Sequence, residues 1–167
     1  MPRQLIKDGS VVDDRWTLVR ELGADALSQA AIIVPLPVWR ANRDALRARG
    51  DVGVWLAPSD DPADIAADAA TLPVIAVDFP QFTDGRGYST GRLLRERHGF
   101  AGELRAIGDV QHDQLYYLAQ CGFNAFSIRS DRNAEDALAG LTAFSDGYQS
   151  TTLRTPWFRR RAAAAAR

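Results

Sequence analysis

Polar and charged side chains follow three apolar segments in the middle of the chain, where predicted strands end. Asp78, Asp109 and Arg129 each come directly after such a segment. In βα units the carboxyl ends of parallel strands lie along one edge of the sheet, and ligands usually bind there. Neighbouring carboxylates can share a proton, so Asp78 and Asp109 are candidate acid–base groups. The alternative is that each carboxylate only caps a helix or accepts backbone donors.

The loop FPQFTDGRGYS, residues 79–89, is predicted to lie at the same edge. Gly85 and Gly87 allow the backbone to come close to a ligand. The loop leads into a predicted helix start at Ser89, where free N–H groups favour an anion. Arg86 and these backbone groups therefore predict a site for a phosphate, sulfate or carboxylate. The loop has neither a Walker nor a GxGxxG pattern, so it gives little support to a nucleotide site.

A structural interpretation of the same loop stays open. Asp84 and its glycine neighbour are typical of a tight turn, and Arg86 can pair with Asp84 or Asp78. Ser89 is then simply a helix cap. In the functional interpretation Asp84 is a third candidate acid or base, and Arg129 joins Arg86 on one anion.

The other reactive residue types give weaker indications. His112 lies three residues after Asp109, which can orient it as an acid or base, but a solvated surface histidine is the simpler interpretation. Cys121 is the sole cysteine, so one chain alone can form no disulfide, zinc knuckle or protein-held iron–sulfur cluster. We predict no metal site and no cofactor. A flavin stays open, although the sequence specifies neither a phosphate site nor a ring pocket for it.

Two surfaces are candidates for partner binding. Arg92 and Arg95 share one predicted helix with Glu96, and Arg92 and Glu96 have the spacing of an i,i+4 ion pair. A solvated face is the default interpretation, and binding to an acidic partner is the alternative. Trp157 and Phe158 are apolar anchors near the end of the chain, which can dock on the domain or on a partner.

Apolar runs of four to six residues predict the strands of the chain, and amphipathic stretches between them predict helices. The expected strands cover residues 31–36, 52–57, 74–77, 104–107 and 125–128. The expected helices cover residues 38–49, 62–70, 90–98, 110–120 and 133–144, with Ser130 or Asp131 capping the last. This alternation predicts an α/β fold of about five βα units with a mainly parallel sheet, either open and doubly wound or an incomplete TIM-like barrel. A full barrel needs eight units and is excluded for a monomer.

The ends of the chain differ from this middle part. Asp8 and Gly9 predict the turn of a β-hairpin within residues 1–20. The βα units occupy residues 31–144, the segment 145–158 is a predicted docking tail, and 159–167 is a low-complexity segment expected to be disordered. Residues 1–158 are therefore expected to form a single domain.

Bulk properties exclude several classes of protein. The 167 residues carry a net charge of −1, which gives no electrostatic case for binding nucleic acid or an anionic membrane. The N-terminus lacks the apolar region of a secretory signal, and no apolar run is long enough to span a membrane. We expect a cytoplasmic protein.

The motifs FTDGRGYS, LLRER, GELRAIGDV and DQLYYLAQCGF resemble those of a bacterial family of unknown function. Its genes lie among those for assimilatory sulfate and sulfite reduction, and members are often labelled as oxidoreductases of sulfite reduction. The chain is identified as a member of this family. The resemblance implies a role in sulfur assimilation and cysteine biosynthesis, and it names no substrate or redox centre.

Two functions follow from the residues and the resemblance together. The first is an accessory protein that binds a sulfite or sulfate reductase component and carries no redox group. The second is a small enzyme, in one version an oxidoreductase, that acts on an anionic substrate of the sulfur pathway. Whether the chain is an enzyme, and whether it forms a homodimer, stays open at this stage.

Overall fold

A computed structural model describes residues 4–21, 28–129, 131–144 and 151 of the chain. Eight strands in this part form one sheet, which curls into a half-barrel. The strands are β1 (Gln4–Lys7), β2 (Ser10–Asp13), β3 (Thr17–Leu18), β4 (Ile32–Pro35), β5 (Val52–Leu56), β6 (Val74–Phe79), β7 (Glu103–Gly108) and β8 (Ala125–Phe126).

The order of the strands across the sheet is β2-β1-β8-β7-β6-β5-β4-β3. Strands β3 to β8 are parallel neighbours in chain order, while β1 pairs antiparallel with both β8 and β2. A doubly wound sheet reverses its strand order at a switch point, and this sheet has no such reversal among its parallel strands. The predicted mainly parallel α/β sheet is confirmed, and the open doubly wound alternative was wrong.

The connections are less regular than five repeated βα units. Strand β3 adds a sixth parallel strand, which the sequence pattern did not indicate because it has only two residues. The connection from β5 to β6 contains the 3₁₀ helix Pro62–Asp68 where an α-helix was expected. Asp61 caps this 3₁₀ helix by accepting a hydrogen bond from the backbone N–H of Ala63 at 2.8 Å.

The α-helices are α1 (Leu36–Ala41), α2 (Arg43–Arg49), α3 (Arg86–Glu96), α4 (Leu115–Gln120) and α5 (Ala134–Leu138). Two more 3₁₀ helices, His112–Gln114 and Ala139–Thr142, precede α4 and follow α5. The helix expected over 38–49 is divided between α1 and α2. Asn42 separates them because its backbone leaves the helical region, with φ −128°, and its side chain bonds back to the Val38 carbonyl at 3.0 Å.

The caps of two helices differ from the expected ones. Helix α3 begins after Gly85, so Ser89 lies inside the helix and does not cap it. Helix α5 is capped by Asn133, whose side-chain oxygen accepts the second backbone N–H of the helix at 2.8 Å, and not by Asp131. Ser130 lies outside the described residues.

The two faces of the sheet are buried in different ways. On β6, Ile75, Val77 and Phe79 point to the helices and belong to the larger apolar core. Val74 and Ala76 point the other way, as alternation along a strand requires, into a smaller cluster. Besides these two, that smaller cluster contains the buried residues Trp16, Ile33 and Ile107.

The hairpin is confirmed. Asp8 and Gly9 both have positive φ, 49° and 78°, which is the backbone of a two-residue turn between twisted strands. The Asn124 amide fastens this turn to the sheet, because its Nδ2 donates to Asp8 Oδ1 at 3.0 Å.

A buried network of charges joins the hairpin to β7. Arg105, which is 2% exposed, donates to Asp14 at 2.8 Å and to Glu103 at 2.8 Å. Lys7 lies 2.8 Å from the other oxygen of Glu103. Four charges that neutralise one another can be buried at low net cost, while loss of one partner would leave an uncompensated charge.

Two predicted segments fall outside the described residues. They are all of the docking tail 145–158 except residue 151, and the low-complexity end 159–167.

Candidate functional site

The first candidate carboxylate, Asp78, lies within β6 and not after it. Its side chain is on the face of the smaller cluster, and Arg20 binds it through two hydrogen bonds, Nη1 to Oδ2 at 3.1 Å and Nη2 to Oδ1 at 2.8 Å. The Arg20 guanidinium also stacks on the Trp55 ring, 5.5 Å from its centroid. Burial of a carboxylate is tolerated here because the charge is paired in a fork-like geometry.

The second carboxylate, Asp109, follows β7 as expected. Its Oδ1 lies 3.1 Å from Nη1 of Arg129, so the structure brings these two predicted site residues together. Its Oδ2 accepts the backbone N–H of Phe82 at 3.1 Å. Asp109 therefore holds the loop after β6 to the end of β8.

The third carboxylate, Asp84, pairs with Arg86 through two hydrogen bonds at 3.0 and 2.7 Å. This is one of the pairings that the structural interpretation of the loop anticipated. The Arg86 guanidinium holds the pKa of Asp84 below its ordinary value. Arg86 and Arg129 do not converge on one anion in this arrangement, because Arg129 binds Asp109 and also Asp131, at 2.9 Å.

The glycines of the loop have different surroundings. A Cβ atom added to Gly87 would lie 2.5 Å from the Phe79 ring, so the missing side chain makes room for the core and not for a ligand. Nothing lies within 4 Å of such an atom at Gly85. Ser89 is in the first turns of α3, beyond the free N–H groups that an anion would use.

These contacts limit the acid–base chemistry that the carboxylates near the strand ends can perform. Each candidate carboxylate is paired with an arginine, so its oxygens are already engaged within the fold. At Asp84, Arg86 holds the pKa below its ordinary value, which opposes acid–base work near neutral pH. Among the described residues, no three side chains of the metal-binding types come together as a candidate site.

Arg95, a predicted partner-binding residue, points inward. Its guanidinium donates to the carbonyls of Phe100, Gly102 and Gly122 at 2.6, 2.9 and 2.8 Å, and to Asn124 Oδ1 at 3.1 Å. Burial lowers the pKa of Arg95. Most of its hydrogen-bonding capacity is therefore used within the fold.

Arg92 points outward, and its Nε lies 3.0 Å from Glu96, as the i,i+4 spacing predicted. The surface near it also carries aromatic rings. Tyr117 on α4 is 53% exposed, and its ring centroid lies 5.0 Å from that of Tyr88 on α3. Phe82 is 45% exposed, and its carbonyl accepts a long hydrogen bond from Gln114, 3.5 Å.

We call the group formed by Phe82, Tyr88, Arg92, Glu96 and Tyr117 the α3–α4 surface. Tyr88 is anchored from below, because its ring packs edge-to-face on Phe79 at 5.3 Å. Burial raises the pKa of Tyr88. The surface is therefore an exposed aromatic layer on a rigid base, with one ion pair beside it.

Cys121 lies under this surface and is 6% exposed. Burial raises the pKa of its thiol, although Arg92 and a hydrogen bond with Tyr117 oppose the rise. A buried, protonated thiol is a poor nucleophile, which supports the interpretation of Cys121 as a core residue.

Sequence reasoning missed two functional candidates. Arg20 lies 58 positions before its partner Asp78, and no local pattern links them. Tyr117 stands beside Tyr116 in the sequence, and its position in the fold was needed to see that its ring is exposed. Trp157 and Phe158 lie outside the described residues, so their role in partner binding stays a prediction.

Comparison with known proteins places the chain in one family. No curated protein matches it. In the described part of the chain, no helix has the length and apolar character needed to cross a membrane. Residues 53–158, which include β6, β7, β8 and the whole α3–α4 surface, match the family described as bacterial proteins of unknown function, DUF934. The chain belongs to this family.

Proposed function

We propose that this chain is an accessory protein of assimilatory sulfite reduction, which binds a component of sulfite or sulfate reductase through the α3–α4 surface. The observation that carries the proposal is the exposure of Tyr117 near the Arg92–Glu96 pair, together with the exposure of Phe82 on the loop before α3. The link to sulfite reduction comes from the family resemblance of the sequence. The link to binding comes from the chemistry of the surface.

Exposed aromatic rings on a rigid base suit protein binding. Tyrosine, phenylalanine and arginine are enriched in interfaces, and a few such residues carry most of the binding energy. Tyr117 keeps an exposed ring and hydroxyl, while its contact with Tyr88 limits the number of conformations that binding would have to fix. Arg92 and Glu96 at the rim would contribute to specificity more than to affinity.

The pairing of the charged residues favours an accessory role over acid–base catalysis. Asp78, Asp84 and Asp109 each bind an arginine, and an acid–base step would require one of these pairs to open. An anion-binding role for the polar edge of the sheet remains part of the proposal. We propose no resident redox cofactor.

A small enzyme acting on an anionic sulfur compound is the second candidate. The contact between Asp109 and Arg129 at the ends of β7 and β8 favours it, because this is the edge where ligands bind in βα folds. Such an enzyme would need a cofactor or co-substrate for any redox step. An absorbance spectrum and a native mass of the purified protein separate the candidates: a flavin or haem band with matching extra mass would contradict the accessory proposal.

Binding to purified sulfite reductase from the same bacterium tests the proposal. We expect measurable binding by the unmodified protein, and a loss of at least about tenfold in affinity for Tyr117→Ala, since truncation of a hot-spot residue costs about 2 kcal/mol or more and tenfold corresponds to about 1.4 kcal/mol. Val12→Ala is the matched control. Val12 is also exposed, but it lies in the hairpin, outside the stretch matched by the family. Equal binding by both variants would contradict the assignment of the surface, and no binding by any of the proteins would contradict the function.

A further inference from the structure

A cleft of about 270 Å³ lies between the 3₁₀ helix His112–Gln114 and the start of α5. His112 and Arg132 line it, together with Asn133, Asp136 and Ala137. The 3₁₀ helix follows β7 and α5 follows β8, so the cleft lies at the carboxyl ends of two neighbouring parallel strands. Ligands of βα folds bind at this edge.

The cationic side chains of the cleft differ from the other arginines near the strand ends in having no carboxylate partner in the described part of the chain. Arg20, Arg86 and Arg129 each bind a carboxylate through short hydrogen bonds. Within the described ranges, neither Arg132 nor His112 has a side-chain hydrogen bond or ion pair. Arg132 acts on Asp131 only at longer range. The Asp131 carboxylate itself is bound by another arginine.

The walls of the cleft are fixed by packing. Gly140, in the 3₁₀ helix after α5, lies against the backbone of His112 so closely that a Cβ atom would overlap the His112 carbonyl. Ala134 and Ala137 are buried beneath the cleft. Asn133 caps α5 with its side-chain oxygen, which leaves its amide NH₂ group without a hydrogen-bond acceptor among the described residues. The backbone that carries the three donors is therefore fixed by packing, while the His112 and Arg132 side chains are exposed to solvent.

We propose that this cleft binds a small oxyanion through the Arg132 guanidinium, the His112 imidazole and the Asn133 amide. Planar guanidinium donors match the oxygens of phosphate, sulfate, sulfite and carboxylate groups, which share this chemistry. Asp136 also lines the cleft, Asp113 follows His112 along the chain, and Asp131 lies next to Arg132, so these carboxylates offset part of the positive charge. The site therefore suits a single small anion and not a polyanion.

This proposal specifies the anion-binding part of the proposed function. It rests on the proposed function only in placing the anion at the carboxyl ends of the parallel strands. It assigns the anion to side chains other than Arg86 and Arg129. Docking of a reductase on the α3–α4 surface does not depend on it. A titration with a small anion and a protein-binding assay can therefore fail separately.

The two histidines of the chain provide the test. The imidazole proton resonances of His112 and His98 are followed by NMR during titration with inorganic phosphate at constant ionic strength. We expect saturable shifts at His112 and none at His98, which lies two residues beyond the C-terminal end of α3. Parallel titrations with sulfate and sulfite show which oxyanion the cleft prefers.

Arg132→Gln is the decisive variant, and Arg97→Gln is its control, because Arg97 is an exposed arginine next to His98. Loss of one charged hydrogen-bond donor should weaken phosphate binding by about tenfold or more in Arg132→Gln, and Arg97→Gln should bind like the unmodified protein. Unsaturable shifts, equal shifts at both histidines, or unchanged binding in Arg132→Gln would overturn the proposal.

Discussion

Replacement of Arg95 by methionine tests whether this arginine stabilises the fold or binds a partner. The side chain keeps its apolar stem, while the guanidinium and its four hydrogen bonds to three carbonyls and Asn124 are removed. Arg92→Met is the matched control, because it is the same change three residues earlier on α3. Among the described residues, the hydrogen-bonding partner of Arg92 is Glu96, in an exposed pair.

The expected size of the effect follows from these contacts. A hydrogen bond from a charged group contributes about 1.5–3 kcal/mol when buried, and less where water can replace it. Arg95 is half buried, so we expect Arg95→Met to lower the free energy of unfolding by about 3 kcal/mol in total. For a domain of this size that corresponds to a fall of about 6–12 °C in Tm. Arg92→Met should lose about 0.5 kcal/mol, which is 1–2 °C.

Thermal and urea unfolding of both variants measure the difference, and the urea slopes show whether the transitions remain comparable. The account requires Arg95→Met to be much the less stable protein. If both variants unfold like the unmodified chain and Arg95→Met loses only reductase binding, Arg95 is a docking residue and the structural assignment is refuted.

Three further outcomes follow from the same contacts. Gly87→Ala should lower Tm by several degrees, because its Cβ would meet the Phe79 ring, whereas Gly85→Ala should leave Tm within about a degree in the same scan. Asp84→Asn should reduce stability at pH 7, and its cost in urea unfolding should shrink as the pH is lowered below 3.8. The pKa of Asp84 is depressed below its ordinary value of 3.8, so its ion pair stabilises the fold above that pH and is lost as the pH falls through the folded pKa. Cys121 should react with a thiol reagent far more slowly in the folded protein than in urea, because burial raises the pKa of its thiol and blocks access, and equal rates would contradict its core position.

The sheet could be predicted from the sequence because its signals are local. Runs such as Val74–Val77 are short, wholly apolar and bounded by Pro73 and Asp78, which is typical of a buried strand, and the Asp8-Gly9 turn has a defined backbone requirement. The closure of the sheet could not be predicted. It depends on which strands pair, and β3 is only two residues long, too short to produce a periodic pattern.

The positions of the candidate site residues could be read from the sequence more easily than their contacts. Asp109 and Arg129 lie together because the ends of β7 and β8 are neighbours in a parallel sheet, which strand order alone implies. The partner of Asp78 is Arg20, and a contact across 58 positions leaves no local trace in one sequence. The sequence pattern placed Arg92 and Arg95 on the same helix and gave both the same predicted role. In the structure Arg92 points outward to Glu96, and Arg95 points inward to backbone carbonyls.

Hydrogen–deuterium exchange of this chain, alone and with saturating sulfite reductase from the same bacterium, tests the central proposal most directly. The account predicts slower exchange in the backbone of α3, α4 and the loop at Phe82, with exchange in the β1–β2 hairpin unchanged. Protection that is absent from these segments, or that appears on the hairpin instead, would contradict the assignment of the α3–α4 surface as the docking site.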